Sequence, residues 1–278
     1  MTVTFLDVVE VAAFSACSIF LLLFCIQLAK KSKTLFGISR ATYSVAALLS
    51  AFGLLVLFYG FFIEPDGLEV RHLRVNGNAT GHFVFISDAH VPSFNPAVFE
   101  KIRQQHPDAI FFGGDVRGVM EFSDTPESAA EHSAFFSNLS SIAPVYAVSG
   151  NHDRNLPPMG ATFLENERAV VNGVTVCGVD DRRPVEVSGC DIALVHSLEN
   201  LRFSGNSSIT LLGHTHGGGI NLPVITENVL NFLVCSGCGT YRYGEHVVEG
   251  KRIYVTSGLA NHVRFLSTPE IVVVDVVK

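Results

Sequence analysis

Five short apolar runs in this chain each end at a residue that can bind a metal ion. Each run is continuous and rich in β-branched or aromatic residues, which is typical of a strand buried on both faces. If these strands share sheets, their carboxyl ends bring the polar residues that follow them to one place. The runs are 84–87, 109–112, 145–149, 192–195 and 209–212. The polar residues that follow them are Asp88, His90, Asp115, Asn151, His152, Asp153, His196, His214 and His216.

This set of polar residues predicts a metal centre. Buried Asp and His side chains are unfavourable by several kcal/mol unless they are paired or ligated. A single His is more often a hydrogen-bonded core residue, but here five His lie at the ends of separate strands beside Asp or Asn. Two metal ions about 3.5–4 Å apart would satisfy these groups together. A mixed shell of nitrogen and oxygen ligands suits Mn, Fe or Zn better than Ca or Mg.

The order of the motifs resembles a known family. D-x-H, then G-D, then G-N-H-D, then a lone H after a strand, then G-H-T-H is similar to the calcineurin-like metallophosphoesterases, from about Phe83 to the C-terminus. Residues 213–218 with Leu222-Pro223, and Pro269-Glu270-Ile271, resemble the membrane-associated bacterial branch of YaeI/YkuE-type phosphodiesterases. The same stretches are similar to the chlamydial-type UDP-2,3-diacylglucosamine pyrophosphatase. Five motifs in this order make the resemblance specific.

The resemblance implies two divalent metal ions, with Mn favoured, and assigns ligands to each. One metal would be held by Asp88, His90, Asp115 and His216. The other would be held by Asp115, Asn151, His196 and His214. Asp115 would bridge, because a carboxylate has two oxygens that can join two cations, whereas a neutral imidazole offers one lone pair.

The resemblance also implies the chemistry. A hydroxide bridging the metals would attack phosphorus, His152 would assist the leaving-group oxygen, and Asp153 would hold His152 in the required tautomer. Two arginines are candidate substrate ligands. Arg117, shortly after Gly-Asp, contacts a substrate phosphate or is an ordinary solvated charge. Arg264 is a phosphate ligand or part of a surface salt bridge.

Two charge-free stretches predict membrane helices at about 11–29 and 41–63, of nineteen and twenty-three residues. A spanning helix needs about 20 apolar residues, so both are long enough. We therefore expect a transmembrane hairpin over residues 1–63 and a catalytic domain over 64–278. A buried helical hairpin is the alternative, but two charge-free runs of this length are rare in soluble folds.

The charges around these stretches predict the orientation. The intervening loop carries Lys30, Lys31, Lys33 and Arg40 and no acid, and short basic loops stay in the cytoplasm. The acids of residues 64–69 follow the second stretch, so the catalytic domain is expected outside the cytoplasmic membrane. A net charge of −7 argues against nucleic acid as a partner. Among the cysteines of the globular part, Cys235 and Cys238 form a C-x-x-C, for which a structural disulfide and two buried thiols both remain open.

The remaining pattern predicts an α/β fold. Helical spacing marks 96–105, and Thr125-Pro126 marks the start of a helix that continues to about 139. Asn172-Gly173 predicts a hairpin, and further strands are expected at 70–75, 252–256 and 271–277. Strands alternating with helices, followed by a more β-rich half, favour a two-sheet metallophosphoesterase sandwich with helices outside.

Three functions are compatible with these observations. The first is a membrane-anchored phosphohydrolase with two metals, most simply a phosphodiesterase. The second is a pyrophosphatase that acts on a nucleotide-linked lipid such as UDP-2,3-diacylglucosamine at the bilayer. The predicted membrane hairpin is the observation that suggests it. The third is a non-enzymatic metal-binding scaffold, against which the intact motifs argue.

Overall fold

The chain divides into two compact units, Met1–Ile63 and Glu64–Lys278. The computed structural model describes Ala16, Gln27 and residues 18–24, 40–118, 125–153, 160–219, 221, 241–260 and 263–278.

The first unit contains helix α1 (Arg40–Phe62), which confirms a helix at the second apolar stretch. Among the described residues, one segment is long and apolar enough to cross a membrane, Leu48–Asp66, with a mean hydropathy of 1.8. Large apolar side chains along it are exposed, including Leu48, Phe52 and Leu55 at 65–70%. By length and composition this segment is one candidate membrane span, and the span itself stays a prediction.

The first predicted membrane helix lies mostly outside the described residues. Within 11–29, the described positions are helical. The lysines of the intervening loop also lie outside the described part of the chain. The two-helix hairpin therefore stays a prediction.

The described residues of the second unit form twelve strands and two further α-helices. The strands are β1 (Glu69–Asn76), β2 (Gly81–Ile86), β3 (Ala109–Phe112), β4 (Val145–Ala147), β5 (Thr162–Phe163), β6 (Arg168–Val171), β7 (Val174–Gly178), β8 (Ile192–Val195), β9 (Ile209–Leu212), β10 (Gly244–Val248), β11 (Lys251–Val255) and β12 (Glu270–Val277). The helices are α2 (Ala97–Gln105) and α3 (Pro126–Ser140), with 3₁₀ turns at Glu64–Asp66, Leu198–Ser204 and His216–Gly218.

The strands form two six-stranded sheets, in the orders β1-β12-β2-β3-β4-β5 and β10-β11-β9-β8-β7-β6. Strands β2 to β5 are parallel to one another, as are β7, β8, β9 and β11. All five predicted metal-bearing strands are confirmed as β2, β3, β4, β8 and β9. They are divided between the sheets, and in each sheet the parallel members end at the same edge.

The apolar runs are continuous because both faces of each strand are buried. On β2, Phe83 and Phe85 belong to the core between the two sheets. Val84 and Ile86, which point the opposite way, belong to the layer that contains side chains of α2 and α3. A third apolar cluster, which includes Leu201 of the 3₁₀ turn, covers the outer face of the second sheet. The predicted two-sheet α/β sandwich is therefore confirmed.

Local sequence signals set the ends of the helices and the hairpin. Thr125 caps α3 by accepting a hydrogen bond from the Ser128 amide at 3.2 Å, and Pro126 occupies the first turn. Asn172 and Gly173 both have positive φ, as a two-residue type I′ turn requires, and they join the antiparallel strands β6 and β7.

A disulfide joins Cys177 on β7 to Cys190, just before β8. The sequence does not predict this pair, because the two residues become neighbours only through the pairing of β7 with β8. Cys235 and Cys238 lie outside the described residues, so their state stays open.

Candidate metal centre

The carboxyl ends of the five strands place the predicted ligands in two adjacent groups. The first group is Asp88, His90 and His216, and the second is Asp115, His196 and His214. Within each group, the candidate ligand atoms all lie within 4.8 Å of one another. In the first group, the Nε2 atoms of His90 and His216 lie 3.2 Å apart. Two imidazole nitrogens at this distance need a proton or a cation between them, so the donor set fits a metal ion.

Asp115 lies between the two groups. Its Oδ2 is 3.2 Å from His196 Nε2 and 3.9 Å from His90 Nε2, so one oxygen faces a ligand nitrogen of each group. Its Oδ1 accepts a hydrogen bond of 2.9 Å from the His152 amide, which fixes the carboxylate plane. The carboxylate therefore faces both groups through a single oxygen, whereas the sequence analysis expected its two oxygens to be divided between two cations.

Asn151 lies against the second group. Its Oδ1 is 3.0 Å from His196 Nε2 and 2.9 Å from His214 Nδ1. An amide oxygen in this position adds a fourth candidate donor beside Asp115. The structure thus brings together all seven residues predicted as ligands.

Backbone carbonyl groups orient two of the imidazoles. His196 Nδ1 lies 2.8 Å from the carbonyl oxygen of Gly113, and His90 Nδ1 contacts that of Arg117. A carbonyl oxygen only accepts, so Nδ1 carries the proton in both rings. The lone pair of each neutral ring is then on Nε2, the atom that faces the other ligands.

Left-handed backbone conformations turn the ligands into the site. Of the seven predicted ligands, five have positive φ: Asp88, His90, Asp115, His214 and His216, at 41–69°. This conformation is uncommon for residues other than Gly and carries strain. It turns the chain beyond β2, β3 and β9, and it lets Asp88 and His90, only two residues apart, point into the same group.

Two glycines leave the room that the carboxylates need. A Cβ atom at Gly150 would lie 2.2 Å from Asp115 Oδ1, and one at Gly213 would lie 2.6 Å from Asp88 Oδ2. Carbon and oxygen atoms do not approach this closely without displacement. The Gly of G-N-H-D and the Gly of G-H-T-H are therefore explained by close packing against the candidate ligands.

The pKa values in the site reflect the crowding of buried charges. Burial raises the pKa of Asp88 to about 7. Burial acts in the same direction on Asp115, but the charges of His196 and His90 outweigh it and hold that pKa below its usual range. Burial acts to lower the pKa of His196, whereas the Asp115 carboxylate raises it, with a net pKa of about 10. Protonated imidazole therefore balances the carboxylates, a role that divalent cations would take over.

Asp153 is at the site but does not do what the sequence suggested. Its oxygens accept hydrogen bonds from the backbone amides of Asp115 (2.7 Å), Val116 (3.0 Å), Arg117 (3.2 Å) and Gly150 (3.0 Å). Among the described residues, no hydrogen bond joins its carboxylate to the His152 ring. The predicted role in setting the His152 tautomer is wrong. Asp153 instead ties together the loops after β3 and β4, which is a positioning role.

His152 lies at the edge of the site. Its ring is 5.3 Å from that of His90, centre to centre and edge-on, and the residue is partly exposed. Its amide hydrogen bond to Asp115 holds it beside the candidate bridge. It is therefore close to both groups without being one of their predicted ligands.

Arg264 is neither a phosphate ligand nor part of a surface salt bridge, so both interpretations from the sequence are wrong. The residue is fully buried. Its guanidinium donates to the carbonyl oxygens of Ala260 (2.8 and 3.0 Å), Ser257 (2.9 Å) and Ser267 (2.6 Å). These bonds hold the loop before β12 in place and leave no surface for a substrate.

Arg117 is 5% exposed, so its interpretation as a solvated charge is also wrong. Its backbone serves the site, because its amide donates to Asp153 and its carbonyl oxygen contacts the His90 ring. A contact between its side chain and a substrate phosphate stays a prediction.

The sequence analysis does not predict the burial of two carboxylates, because a sequence shows that a residue is charged but not whether it is buried. Glu64, which follows the apolar stretch directly, is 3% exposed. Glu270 is fully buried and accepts from the hydroxyls of Tyr243 (2.9 Å) and Tyr254 (3.1 Å). Burial lowers the pKa of Arg264 to about 10, while the charges of Asp88, Glu270 and Glu64 act in the opposite direction. The buried arginine thus stays charged at neutral pH, with carboxylates around it.

Comparison with known proteins agrees with the geometry. The family model of the calcineurin-like phosphoesterase superfamily domain matches residues 82–277. The chain is 25% identical to phosphodiesterase YaeI of Escherichia coli (strain K12) over 277 residues, covering 86% of this chain and 97% of the relative. It is 24% identical to the uncharacterized metallophosphoesterase YkuE of Bacillus subtilis (strain 168) over 273 residues, covering 77% and 87%.

Among solved structures, the chain is similar to the phosphoesterase YfcE from E. coli, with a TM-score of 0.35 and 18% identity over 63% of this chain and 78% of that one. The family model covers most of the second unit, including all the strands that lead into the two ligand groups. The chain therefore belongs to the calcineurin-like phosphoesterase superfamily and is a metal-dependent phosphoester hydrolase.

Proposed function

We propose that this protein is a membrane-anchored phosphodiesterase that works with two divalent metal ions. The observation that carries the proposal is the position of Asp115 Oδ2, 3.2 Å from His196 Nε2 and 3.9 Å from His90 Nε2. One carboxylate oxygen shared by two donor groups is suited to two cations held close together. The ligands of one ion would be Asp88, His90, Asp115 and His216, and those of the other Asp115, Asn151, His196 and His214.

The donors are imidazole nitrogens and carboxylate or amide oxygens, which suits Mn, Fe or Zn, and we propose Mn. When bound, the ions would acidify a water molecule and neutralise charge on the phosphate oxygens. The protein preorganises the donor atoms, because backbone carbonyl groups set the imidazole tautomers and backbone amides donate hydrogen bonds to the carboxylates.

We propose that His152 donates a proton to the leaving-group oxygen. Its ring lies at the partly exposed edge of the site, where an alcohol could depart into solvent. Its backbone amide is held by Asp115, which keeps the residue beside the candidate bridging carboxylate. General acid help of this kind is typically worth about 10²–10⁴-fold in rate.

The name of the relative YaeI supports a phosphodiester as substrate. The candidate span Leu48–Asp66 favours a second substrate class, lipid-linked pyrophosphates, since it would keep the catalytic unit at a bilayer. The two classes differ in the bond cleaved and use the same donor groups.

We also propose that the catalytic unit lies outside the cytoplasmic membrane. The buried Cys177–Cys190 disulfide supports this location, because disulfides persist in oxidising compartments and are rare in the cytosol. The basic loop before α1 points the same way. A C-terminal alkaline phosphatase fusion should be active and a green fluorescent protein fusion exported unfolded should be dark. The opposite pair of results would place the unit inside and favour the lipid-precursor substrate.

The central test uses the full-length chain purified in detergent and loaded with Mn. Wild type should bind two metal ions per chain and hydrolyse bis(p-nitrophenyl) phosphate. Asp115→Asn should lose more than ~100-fold in kcat/KM, since changes to residues behind the ligands alone cost ~10–100-fold. Bound metal should also fall. If this variant keeps both metals and near-normal turnover, the two-metal assignment is wrong.

His152→Ala tests the leaving-group role separately. Both metals should stay bound, and turnover should fall more for alkyl leaving groups than for nitrophenol, which departs without a proton. An equal loss with both kinds of substrate would indicate that His152 binds substrate and does not protonate it.

A further inference from the structure

Arg242 is built into the turn that carries two of the candidate ligands. Its carbonyl oxygen accepts a hydrogen bond of 2.6 Å from Thr215 Oγ1, and Thr215 lies between His214 and His216. Its side chain packs on Gly218, where a Cβ atom would lie 3.0 Å from Arg242 Cδ. Gly218, the second Gly after G-H-T-H, therefore leaves room for the aliphatic part of the Arg242 side chain. The backbone and the side chain of Arg242 are both held against this turn.

The Arg242 guanidinium is not used by the described part of the protein. The residue is 7% exposed, yet no hydrogen bond or ion pair to its guanidinium occurs among the described residues. Arg264, by contrast, donates to carbonyl oxygens.

A mostly buried guanidinium without a partner is unfavourable unless an anion compensates it. The planar fork of Arg matches the oxygens of a phosphate, with two parallel hydrogen bonds. Among the described residues, Arg242 contacts Thr215 and Gly218, in the turn that carries the candidate ligands His214 and His216. An anion bound to the guanidinium would thus lie next to this turn.

We propose that Arg242 forms an anion subsite for a second phosphate of the substrate, next to the phosphate that is hydrolysed. The proposal rests on the proposed phosphodiesterase function and adds a substrate class to it, namely diesters that carry a further phosphate. The guanidinium contacts the second phosphate beside the turn that carries His214 and His216. The position of Arg242 relative to these ligands would then set the distance between the two phosphates.

The test compares two matched substrates with the Mn-loaded, full-length chain. Thymidine 5′-(p-nitrophenyl phosphate) has one phosphate, and its 3′-phosphorylated derivative has two. Arg242→Ala should raise KM for the two-phosphate substrate by about 10–100-fold, the usual worth of a charge-assisted hydrogen bond, and leave the one-phosphate substrate within about twofold. Arg242→Lys, which keeps the charge and loses the fork, should fall between.

The matched control is Arg252→Ala, which removes an arginine paired with Glu245 at 2.7 Å on the neighbouring strand and should affect neither substrate. Calorimetric titration with thymidine 3′,5′-bisphosphate and thymidine 5′-phosphate measures the same preference without turnover. Arg242→Ala should abolish the tighter binding of the bisphosphate.

Equal losses for both substrates, or loss of bound metal, would show that Arg242 only supports the turn, and the subsite would be wrong. An unchanged preference would also overturn it. Failure of the proposed function is distinguishable, because it appears as inactive wild type on bis(p-nitrophenyl) phosphate. The calorimetric comparison of the two nucleotides would still test Arg242 in that case, since it needs no turnover.

Discussion

Replacing Glu64 by Gln should destabilise the catalytic unit and weaken its metal centre. The Glu64 carboxylate is 3% exposed and accepts three hydrogen bonds. Its Oε1 accepts from Ser267 N (2.6 Å) and Thr268 Oγ1 (3.2 Å), and its Oε2 accepts from Leu266 N (2.9 Å). Ser267 Oγ in turn donates to the His216 carbonyl oxygen at 2.8 Å. The chain just after α1 therefore supports the loop behind a candidate metal ligand.

The magnitude follows from these three bonds. Gln keeps the shape and can keep its oxygen toward Ser267 and Thr268, which places its NH₂ group against the Leu266 amide. One charge-assisted bond is then lost, worth ~1.5–3 kcal/mol, and a buried donor is left unsatisfied, at ~1–3 kcal/mol. The sum of the two contributions, about 2.5–6 kcal/mol, corresponds to a fall in Tm of about 5–24 °C in a unit of this size.

The assay is thermal unfolding of the full-length chain in detergent, with and without Mn. Glu69→Gln is the control, because Glu69 is an exposed carboxylate paired with Arg71, and exposed pairs contribute ~1 kcal/mol or less. Affinity for Mn should also fall in Glu64→Gln, since His216 loses the support of Ser267. A Tm no lower than that of the control would refute the argument that this carboxylate holds the loop.

Four further predictions test the site and the disulfide. Gly150→Ala brings a Cβ atom to 2.2 Å from Asp115 Oδ1 and should reduce bound metal and activity together. The control Gly53→Ala, whose added Cβ would have no heavy atom within 4 Å, should change neither. Equal metal content in the two variants would contradict the argument that Gly150 makes room for Asp115. Metal affinity should rise from pH 6 to pH 8, with proton release measurable by calorimetry in different buffers, because the raised pKa of His196, about 10, means that metal must displace its proton. In the metal-free chain, the raised pKa of His196 stabilises the fold fully below pH 6.5, and this stabilisation is lost as the pH rises through about 10. A Tm of the metal-free chain that does not fall over this alkaline range would contradict the prediction. Cys177→Ser should lower the free energy of unfolding by about 3 kcal/mol, as expected for a loop of this length, and insensitivity of the wild-type Tm to reductant would show that the disulfide does not form.

The local elements of this fold could be predicted because their causes are local. An apolar run such as 84–87 has to be a strand buried on both faces, and Thr125-Pro126 can start a helix without help from the rest of the chain. Asn172-Gly173 makes a turn wherever two strands flank it. The order of the motifs also predicted the family, because every candidate ligand lies within four residues of the end of one of five strands.

The roles of individual charges depended on contacts far along the chain. Glu64 meets Ser267, and the amide of Asp115 meets Asp153, only after the strands have been assembled. A sequence pattern shows that a residue is charged but not whether it is buried, so the sequence alone does not reveal that Glu64 and Arg264 lie inside the protein.

What the sequence by itself determined is the set of strands, their end residues and the kind of chemistry those residues support. Only the tertiary structure decided which Asp115 oxygen faces both donor groups, and which charged residues near the site support loops. It also left the Arg242 guanidinium without a partner among the described residues. The physical reason is that strand and turn formation depend on neighbouring residues, whereas the environment of a charge depends on all the elements that pack around it.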